Sequence, residues 1–568
     1  MEHKKYKIKN IFECLVLVIA GGLLFTLPNP NILFKNGIAI FAWVMYVPFL
    51  FLIKKTSLKT CWLFGGLYGM ACVGFYAYWL YNYNPVCLYI ALAISFLGIA
   101  LLSLALKGLQ FLFPANAWIM QFLLLCSFEY LRTLGFTGIH YGLAAYTQWN
   151  SKLLLQGASL GGVFLLNMFI IFSSALIYAF VSKLFDKKRI GKKMISDNEL
   201  YDGASYVNYV SQNEKELAKT SLKVPFVFLC VWAASLIFLL VYGKASQVSK
   251  DEISSYKTVT VAAIQHNDDP HQNGMENFND SIQRLISLTE EALEINPGIE
   301  LVVWPETAVV PSVIYNYYRT DNSDRTKLIN YLLNYLNNSD CDFIIGNQHI
   351  DVNTGTRKIY NTAMLFTPGQ NVIPPTPAVN SKIKLVPFSE YFPYQKYFPH
   401  IYKSLLAYEK FFLDPGKEIT LFNTKGLCVY SPICFENTFP DLCRTAYQKG
   451  ARSLFCLVSD AWSQSLACQY QHLAMAKFRA VENRIPVVIS SVTGQTAFID
   501  MNGQLTAMAQ PFTSTYAVAQ VPVVPLTAKP TVYNRIGDIF GLVPLFLFII
   551  LLIIRSIIVI IRHTQKRK

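Results

Sequence analysis

The sequence predicts a multi-pass α-helical membrane domain of about eight spans carrying one large α/β domain. Three observations predict it. The 568-residue chain is 53% apolar, too apolar for an ordinary water-soluble protein of its length. Apolar runs of about 20 residues, the length needed to cross a bilayer, fill its first third and recur at 224–242 and 541–561. Between those two runs, strand-like and helix-like stretches alternate, as they do where a sheet is covered by helices. The net charge of +14 divides along the same line: residues 244–538 hold 24 Lys and Arg against 26 Asp and Glu, and the rest holds 25 against 9. The basic excess therefore marks membrane topology and excludes nucleic-acid binding. The 12 cysteines fall six and six between the two parts without a CxxC pair, which argues against a zinc or disulfide framework.

In chain order, spans are expected near 11–27, 32–53, 61–81, 86–106, 109–132, 155–183, 224–242 and 541–561. The first is not a cleaved signal, because Leu27-Pro28-Asn29-Pro30 is no small-residue cleavage site and further spans follow. With the N-terminus cytoplasmic, the inside breaks carry Lys4, Lys5, Lys7 and Lys9, then Lys54, Lys55 and Lys59, then Lys107. The fourth carries Lys183, Lys187, Lys188, Arg189, Lys192 and Lys193, and the tail carries Arg562, Lys566, Arg567 and Lys568. The outside breaks at 29–31 and 82–84 are bare, and the third holds only Arg132 and Lys152. This positive-inside pattern puts 244–538 outside the cytoplasm. The expected division is a membrane bundle at 1–243 with a polar cytoplasmic insert at 186–222, an outer domain at 244–538, and a final helix with basic tail at 539–568. Glu129 and Arg132, one turn apart, read as an intrahelical pair in preference to a substrate contact.

In the outer domain, strands are expected at 258–265, 300–305, 342–350, 359–367, 382–388, 427–434, 453–459 and 486–500. Helical periodicity marks 275–295, 324–338, 437–449 and 464–484. Three strand ends carry reactive groups. Glu306 follows an apolar strand that Pro305 terminates. Lys382 and Lys384 alternate on one face of their strand. Cys434 closes the run Leu427–Ile433, just before a helix-like stretch beginning at Asn437. A helix N-terminus there would lower the thiol pKa, although a Cys on a strand is also an ordinary core residue. Singly, the acid and the lysine read as solvated rim charges. Together, a base, a cation and a thiol at separate strand ends are what acyl transfer through a thioester requires.

These stretches carry a resemblance. Trp304-Pro305-Glu306, Lys382-x-x-Leu385-Val386-Pro387-Phe388-x-Glu390 and Ile433-Cys434-x-Glu436 resemble the three signature regions of the nitrilase (carbon–nitrogen hydrolase) superfamily. That likeness implies an αββα sandwich with a Glu306, Lys382 and Cys434 triad. With several spans before the domain and one after, the chain resembles the bacterial apolipoprotein N-acyltransferase family. Asn361 after Tyr360, Ser459-Asp460-Ala461-Trp462, Gln471-His472-x-x-Met475-Ala476, Arg479-Ala480-x-Glu482 and Thr493-Gly494-x-Thr496-Ala497 extend the match. The chain departs from the usual pattern at Lys384, Ser389, Phe435 and Ser459, and at Ser463-Gln464, without losing a triad member.

The resemblance implies a bacterial cytoplasmic-membrane enzyme, expected to be monomeric and to need no cofactor. Its donor would be a phospholipid and its acceptor a diacylglyceryl apolipoprotein. Glu306 would be general base, Cys434 nucleophile and Lys382 oxyanion partner, with Glu390, Glu436, Asn361 and Phe435 in support. The apolar stretches 309–318 and 391–412, the second dense in aromatics, read as lids dipping into the outer leaflet, with packing on the domain as the alternative. His266, His271 and His472 lack a ligand cluster and read as structural, so no metal site is expected. Two rival functions stand beside this one: a membrane-anchored amidase, and a non-enzymatic lipoprotein-binding membrane protein.

The charge pattern makes one direct prediction. A cysteine introduced at Asn337 is expected to react with a membrane-impermeant thiol reagent applied outside the cell; labelling only from the cytoplasmic side would overturn the orientation.

Overall fold

A computed structural model describes residues 2–135, 138–197, 221–269, 273–319, 321, 323–352, 357–400, 402–403 and 412–567. Among the described residues, five helices are long and apolar enough to cross a membrane: Ile8–Thr26, Pro85–Leu112, Leu154–Lys188, Lys223–Ser255 and Ile539–Arg562. Two shorter apolar helices, Cys61–Tyr76 and Ala117–Leu131, pack among them. These seven helices fall on seven of the eight expected runs. The remaining run, 32–53, is broken into a 3-10 turn, Ala39–Val44, and a nine-residue helix, Val47–Lys55. Asn31 explains the entry, since its side chain accepts from the N–H groups of Leu33 and Phe34 and holds a turn. Pro48, with no N–H to give, then starts a new helix. Phe49, Leu50, Leu52 and Ile53 are buried against neighbouring helices, so an all-apolar run here signals a protein core. The helix after Leu154 kinks at Gly161 and Gly162, and Gly162 adopts φ +67°, which glycine alone does at little cost. Glu129 and Arg132 do pair within their helix, at 2.7 Å, and Arg132 also donates to the carbonyls of Ile139 and Tyr141.

The α/β domain is two six-stranded sheets face to face. The first runs β12-β1-β2-β3-β4-β5 and the second β11-β10-β9-β8-β7-β6. Their strands are β1 (Thr258–Gln265), β2 (Leu301–Val303), β3 (Asp342–Asp351), β4 (Lys358–Phe366), β5 (Ala378–Ser381) and β12 (Thr515–Pro522), then β6 (Leu421–Thr424), β7 (Leu427–Tyr430), β8 (Ser453–Val458), β9 (Val487–Ser491), β10 (Ala497–Ile499) and β11 (Leu505–Met508). Each sheet has three central parallel strands, β1-β2-β3 and β7-β8-β9, flanked by antiparallel ones. Val261, Val303 and Ile344 meet Val429, Phe455 and Val488 in the core between the sheets. Within it the Ser490 hydroxyl lies 2.8 Å from the Ile264 carbonyl and 3.0 Å from that of Val303, tying β9 to the first sheet. Helices Met275–Ile295 and Asp324–Asn337 cover the first sheet, and Pro440–Gln448 and Leu466–Asn483 cover the second. The result is an αββα sandwich.

Two strand expectations are corrected. The stretch 486–500 is two strands, because Gly494 at φ +153° turns the chain between β9 and β10. The segment 382–388 is no strand; β5 ends at Ser381 and Lys382 lies just beyond it. Strands β6, β11 and β12 arise from stretches with too little apolar run to stand out.

Helix Leu466–Asn483 joins the two parts. Every residue from Ala467 to Asn483 is buried, between β8 and β9 on one side and Tyr146, Trp149, Val163 and Phe164 of the membrane part on the other. Two of its charges are paired with each other: Arg479 contacts Glu482 at 2.7 Å, and Glu482 accepts from the Val163 N–H at the kink.

The backbone at Glu306 is pressed onto Gly346 of β3, where an added Cβ would lie 2.1 Å from the Pro305 carbonyl oxygen and 2.8 Å from the Glu306 Cα. Gly346→Ala is expected to destabilise the protein by about 1–3 kcal/mol through overpacking. Thermal unfolding in detergent would show it as a lowered Tm, and an unchanged Tm would show that the strands simply part.

Candidate active site

Three chain segments meet at one end of the sandwich. Glu306 follows β2 by three residues and is buried. Its Oε1 accepts from Asn361 Nδ2 of β4 at 2.7 Å and from Lys382 Nζ at 3.2 Å. Lys382 is 1% exposed, and its backbone N–H donates to the Asn361 carbonyl, which sets the ammonium beside Glu306. The same ammonium donates to Glu390 Oε1 at 2.7 Å, while Glu390 Oε2 accepts from the Val386 N–H and closes the turn 386–390. One buried cation thus sits between two carboxylates. Burial pushes the Glu306 carboxyl above its ordinary range and Glu390 adds to this, against the pull of Lys382 and Asn361. Burial opposes charge on Lys382 too, but Glu306 and Glu390 outweigh it and hold the amine firmly protonated.

Cys434 is four residues beyond the end of β7. It opens a 3-10 turn, Cys434–Thr438, with φ +49°, a left-handed conformation uncommon for a residue with a Cβ. Burial and the Glu306 charge push the thiol well above its ordinary range, against the opposing effects of Lys382 and the Ser459 N–H. The expectation of a thiol acidified by a helix N-terminus is therefore corrected. The α-helix begins only at Pro440, and a five-residue 3-10 turn builds little macrodipole.

Glu436 binds these segments to one another. Its Oε1 accepts from the N–H groups of Ile383 (2.7 Å) and Lys384 (3.1 Å), and its Oε2 from that of Ile433 (2.9 Å). Burial pushes its carboxyl up to about 7 in spite of those three donors. Phe435 packs edge-on against Phe439 at 4.9 Å. Lys384 points elsewhere, its Nζ 5.3 Å from the Phe439 ring centre, so the two lysines are separated by geometry and share no strand face.

The membrane part contributes a wall that sequence reasoning passed over. Asn82 donates to the Ser463 carbonyl at 2.7 Å, and Tyr78 and Ser465 share a hydrogen bond of 3.0 Å. Tyr83 is hydrogen-bonded to Ser389, and the Tyr83 and Trp79 rings both pack against Trp462. The signal was the cluster of aromatics and asparagines around 78–84, which reads as a bare outer break when only charge is counted. Of the two expected lids, 309–318 is corrected: Val309, Ser312 and Val313 are buried, and Asn347 holds the Val309 and Pro311 carbonyls. In the second, Tyr394, Tyr397 and Phe398 are exposed, Phe392 is packed, and Leu405, Leu406, Tyr408 and Phe411 lie outside the described residues. His266 faces Asp268 and His472 faces Asp460, while His271 lies outside the described residues. Among the described residues no group of three His, Cys, Asp or Glu side chains could hold a metal.

A family model described as the apolipoprotein N-acyltransferase N-terminal domain matches residues 21–176, and one described as carbon-nitrogen hydrolase matches 260–529. Apolipoprotein N-acyltransferase 1 of Treponema denticola is 35% identical over 575 residues, covering 99% of both chains. Its namesake in Treponema pallidum is 35% identical over 535 residues, 93% of each. The apolipoprotein N-acyltransferase of Borreliella burgdorferi is 27% identical over 558 residues, 95% of each.

The electrostatics of the site predict opposite signs for its two charged neighbours. Glu306→Gln removes a charge that raises the thiol pKa, so alkylation of Cys434 by a neutral haloacetamide at pH 7.5 is expected to accelerate. Lys382→Met removes the opposing charge and is expected to slow it. Peptide mass spectrometry against time would show both, and equal rates in all three proteins would contradict the described placement.

Proposed function

The chain belongs to the apolipoprotein N-acyltransferase family, and we propose that it works by a two-step transfer through a thioester on Cys434. In the first step Glu306 takes the Cys434 proton as the sulfur attacks an acyl ester carbonyl of a phospholipid. The developing oxyanion is stabilised by the Lys382 ammonium and a backbone N–H just after Cys434. The intermediate collapses with cleavage of the ester C–O bond, and Glu306 returns the proton to the departing lysophospholipid oxygen. In the second step the free α-amine of a diacylglyceryl cysteine, at the N-terminus of an apolipoprotein, attacks the thioester. Glu306 accepts the amine proton, the C–S bond breaks, the amide is released and the thiol is re-formed.

The observation that carries this reading is the buried ammonium of Lys382, 3.2 Å from the Glu306 carboxylate, with the Cys434 thiol within the field of both. A thiol held neutral at rest needs a base at the moment of attack, and Glu306, its basicity raised by burial, is placed to be one. Asn361 and Glu390 orient the base and the cation, and Glu436 holds the lysine loop to the cysteine turn. The exposed aromatics Tyr394, Tyr397 and Phe398 suit contact with a bilayer surface, where lipid donor and lipidated acceptor are both found. The lysine distribution supports a bacterial cytoplasmic membrane setting with 244–538 on the outer face. An amidase that releases its product to water has no use for this lipid-facing setting.

Phospholipid alone is expected to load the enzyme. Intact-protein mass spectrometry should find one acyl chain on Cys434, with a stoichiometric burst of lysophospholipid, and Cys434→Ala should abolish both. Rates varied over both substrates should give parallel double-reciprocal lines. Intersecting lines without an adduct would overturn the mechanism, and failure to triacylate a diacylglyceryl peptide would favour the amidase.

Lys382→Arg is expected to abolish activity and Lys384→Arg to leave most of it. The reverse result would move the oxyanion role to Lys384.

A further inference from the structure

We infer that His472 is a positioning residue for Cys434: held as an imidazolium between the Asp460 carboxylate and the Cys434 carbonyl, it fixes the left-handed backbone that aims the thiol. This rests on the reading of Cys434 as nucleophile. His472 is 3% exposed, on the helix Leu466–Asn483 that lies between the second sheet and the membrane part. Its Nε2 is 3.2 Å from the Cys434 carbonyl oxygen, and its Nδ1 is 3.2 Å from each of the two Asp460 carboxylate oxygens.

The proton count follows from the partners. A carbonyl oxygen only accepts, so Nε2 must carry a hydrogen to make that contact. An ionised carboxylate also only accepts, and a nitrogen equidistant from both of its oxygens suits an N–H shared between them. A neutral imidazole has one N–H and would leave one contact without a proton; the imidazolium satisfies both. Burial disfavours the charged ring, but Asp460, the Cys434 carbonyl and Glu306 outweigh it and hold the imidazole above its ordinary range.

Other groups of the neighbourhood do not compete for the role. Cys468, one turn earlier on the same helix, and Tyr141, from the loop before the kinked helix, both sense Asp460, and burial pushes both well up, so they stay neutral. The Ser459 N–H acts on the Cys434 thiol, lowering its pKa, whereas His472 lies against the carbonyl. At φ +49° the Cys434 backbone is strained for a residue with a side chain, and such strain persists only where surrounding contacts over-determine it. A charge-assisted hydrogen bond to the carbonyl of that same residue is such a contact.

The test uses the full-length protein in detergent with 15N-labelled histidine. The His472 ring, assigned by its loss in His472→Asn, is expected to keep both nitrogens protonated at pH 8, and to lose one proton below pH 8 in Asp460→Asn. Single-turnover loading of Cys434 should fall at least tenfold in His472→Asn with the phospholipid KM unchanged. In Asp460→Asn, loading should fall as pH rises through the range in which the ring deprotonates. A ring with one bare nitrogen at pH 7 in the parent protein, a flat pH profile in Asp460→Asn, or loading within twofold of the parent in His472→Asn would each overturn the inference. Normal loading in Cys434→Ala would instead overturn the assignment of the nucleophile.

Discussion

The ammonium of Lys382, enclosed with the carboxylates of Glu306 and Glu390, is the interaction around which the candidate site is built. Buried charges survive only when paired, and removing one partner of such a pair costs on the order of 3–5 kcal/mol. The sandwich is built so that the pairing is unavoidable. Asn361 grips Glu306 with its side chain and Lys382 with its carbonyl, so one residue of β4 sets the distance between acid and base. Glu390 returns from the next turn to complete the cage. With two anions to one cation the cage leans negative, and a thiol placed beside it stays protonated until a substrate draws off the charge.

The membrane part is a wall of the site as well as an anchor. Residues 78–84 reach two loops of the α/β domain, through Asn82 to Ser463 and through Tyr83 to Ser389. Ser389 and Ser463 are two of the positions at which the chain departs from the common pattern of its superfamily. At Ser389 the contact supplies a physical reason, since its hydroxyl meets Tyr83. Ser463 meets Asn82 through its backbone carbonyl, which any residue would offer, so this contact does not explain the departure there.

The large features were legible because they depend on composition and period. The α/β alternation, the membrane helices and the three polar strand ends all announce themselves in windows of ten to twenty residues. Errors arose where tertiary context decides. The run 32–53 is apolar on every side because protein surrounds it, and hydropathy cannot distinguish that from lipid. The alternation of Lys382 and Lys384 mimics a strand, yet Glu436 takes the N–H groups of Ile383 and Lys384 and so removes them from any ladder. The pKa of Cys434 follows from burial and from Glu306, 128 positions away in sequence, and no local motif contains that fact. His472 looked like an ordinary interior histidine for the same reason: its two partners, Asp460 and Cys434, come from other elements.

The helix Leu466–Asn483 has a consequence for anyone who would study the α/β domain by itself. In a water-soluble αββα protein the outermost helices turn a polar face to solvent. Here the corresponding helix is enclosed from Ala467 to Asn483, with Lys477 lying over the Trp149 ring and the Arg479–Glu482 pair sealed beneath the kink at Gly162. Excising residues 244–538 would hand water a broad apolar surface and strip Glu482 of a hydrogen bond from the bundle. The domain boundary visible in the composition is therefore no boundary of folding. Catalytic sheet and membrane helices share one core, and the protein has to be handled, evolved and engineered as a single body.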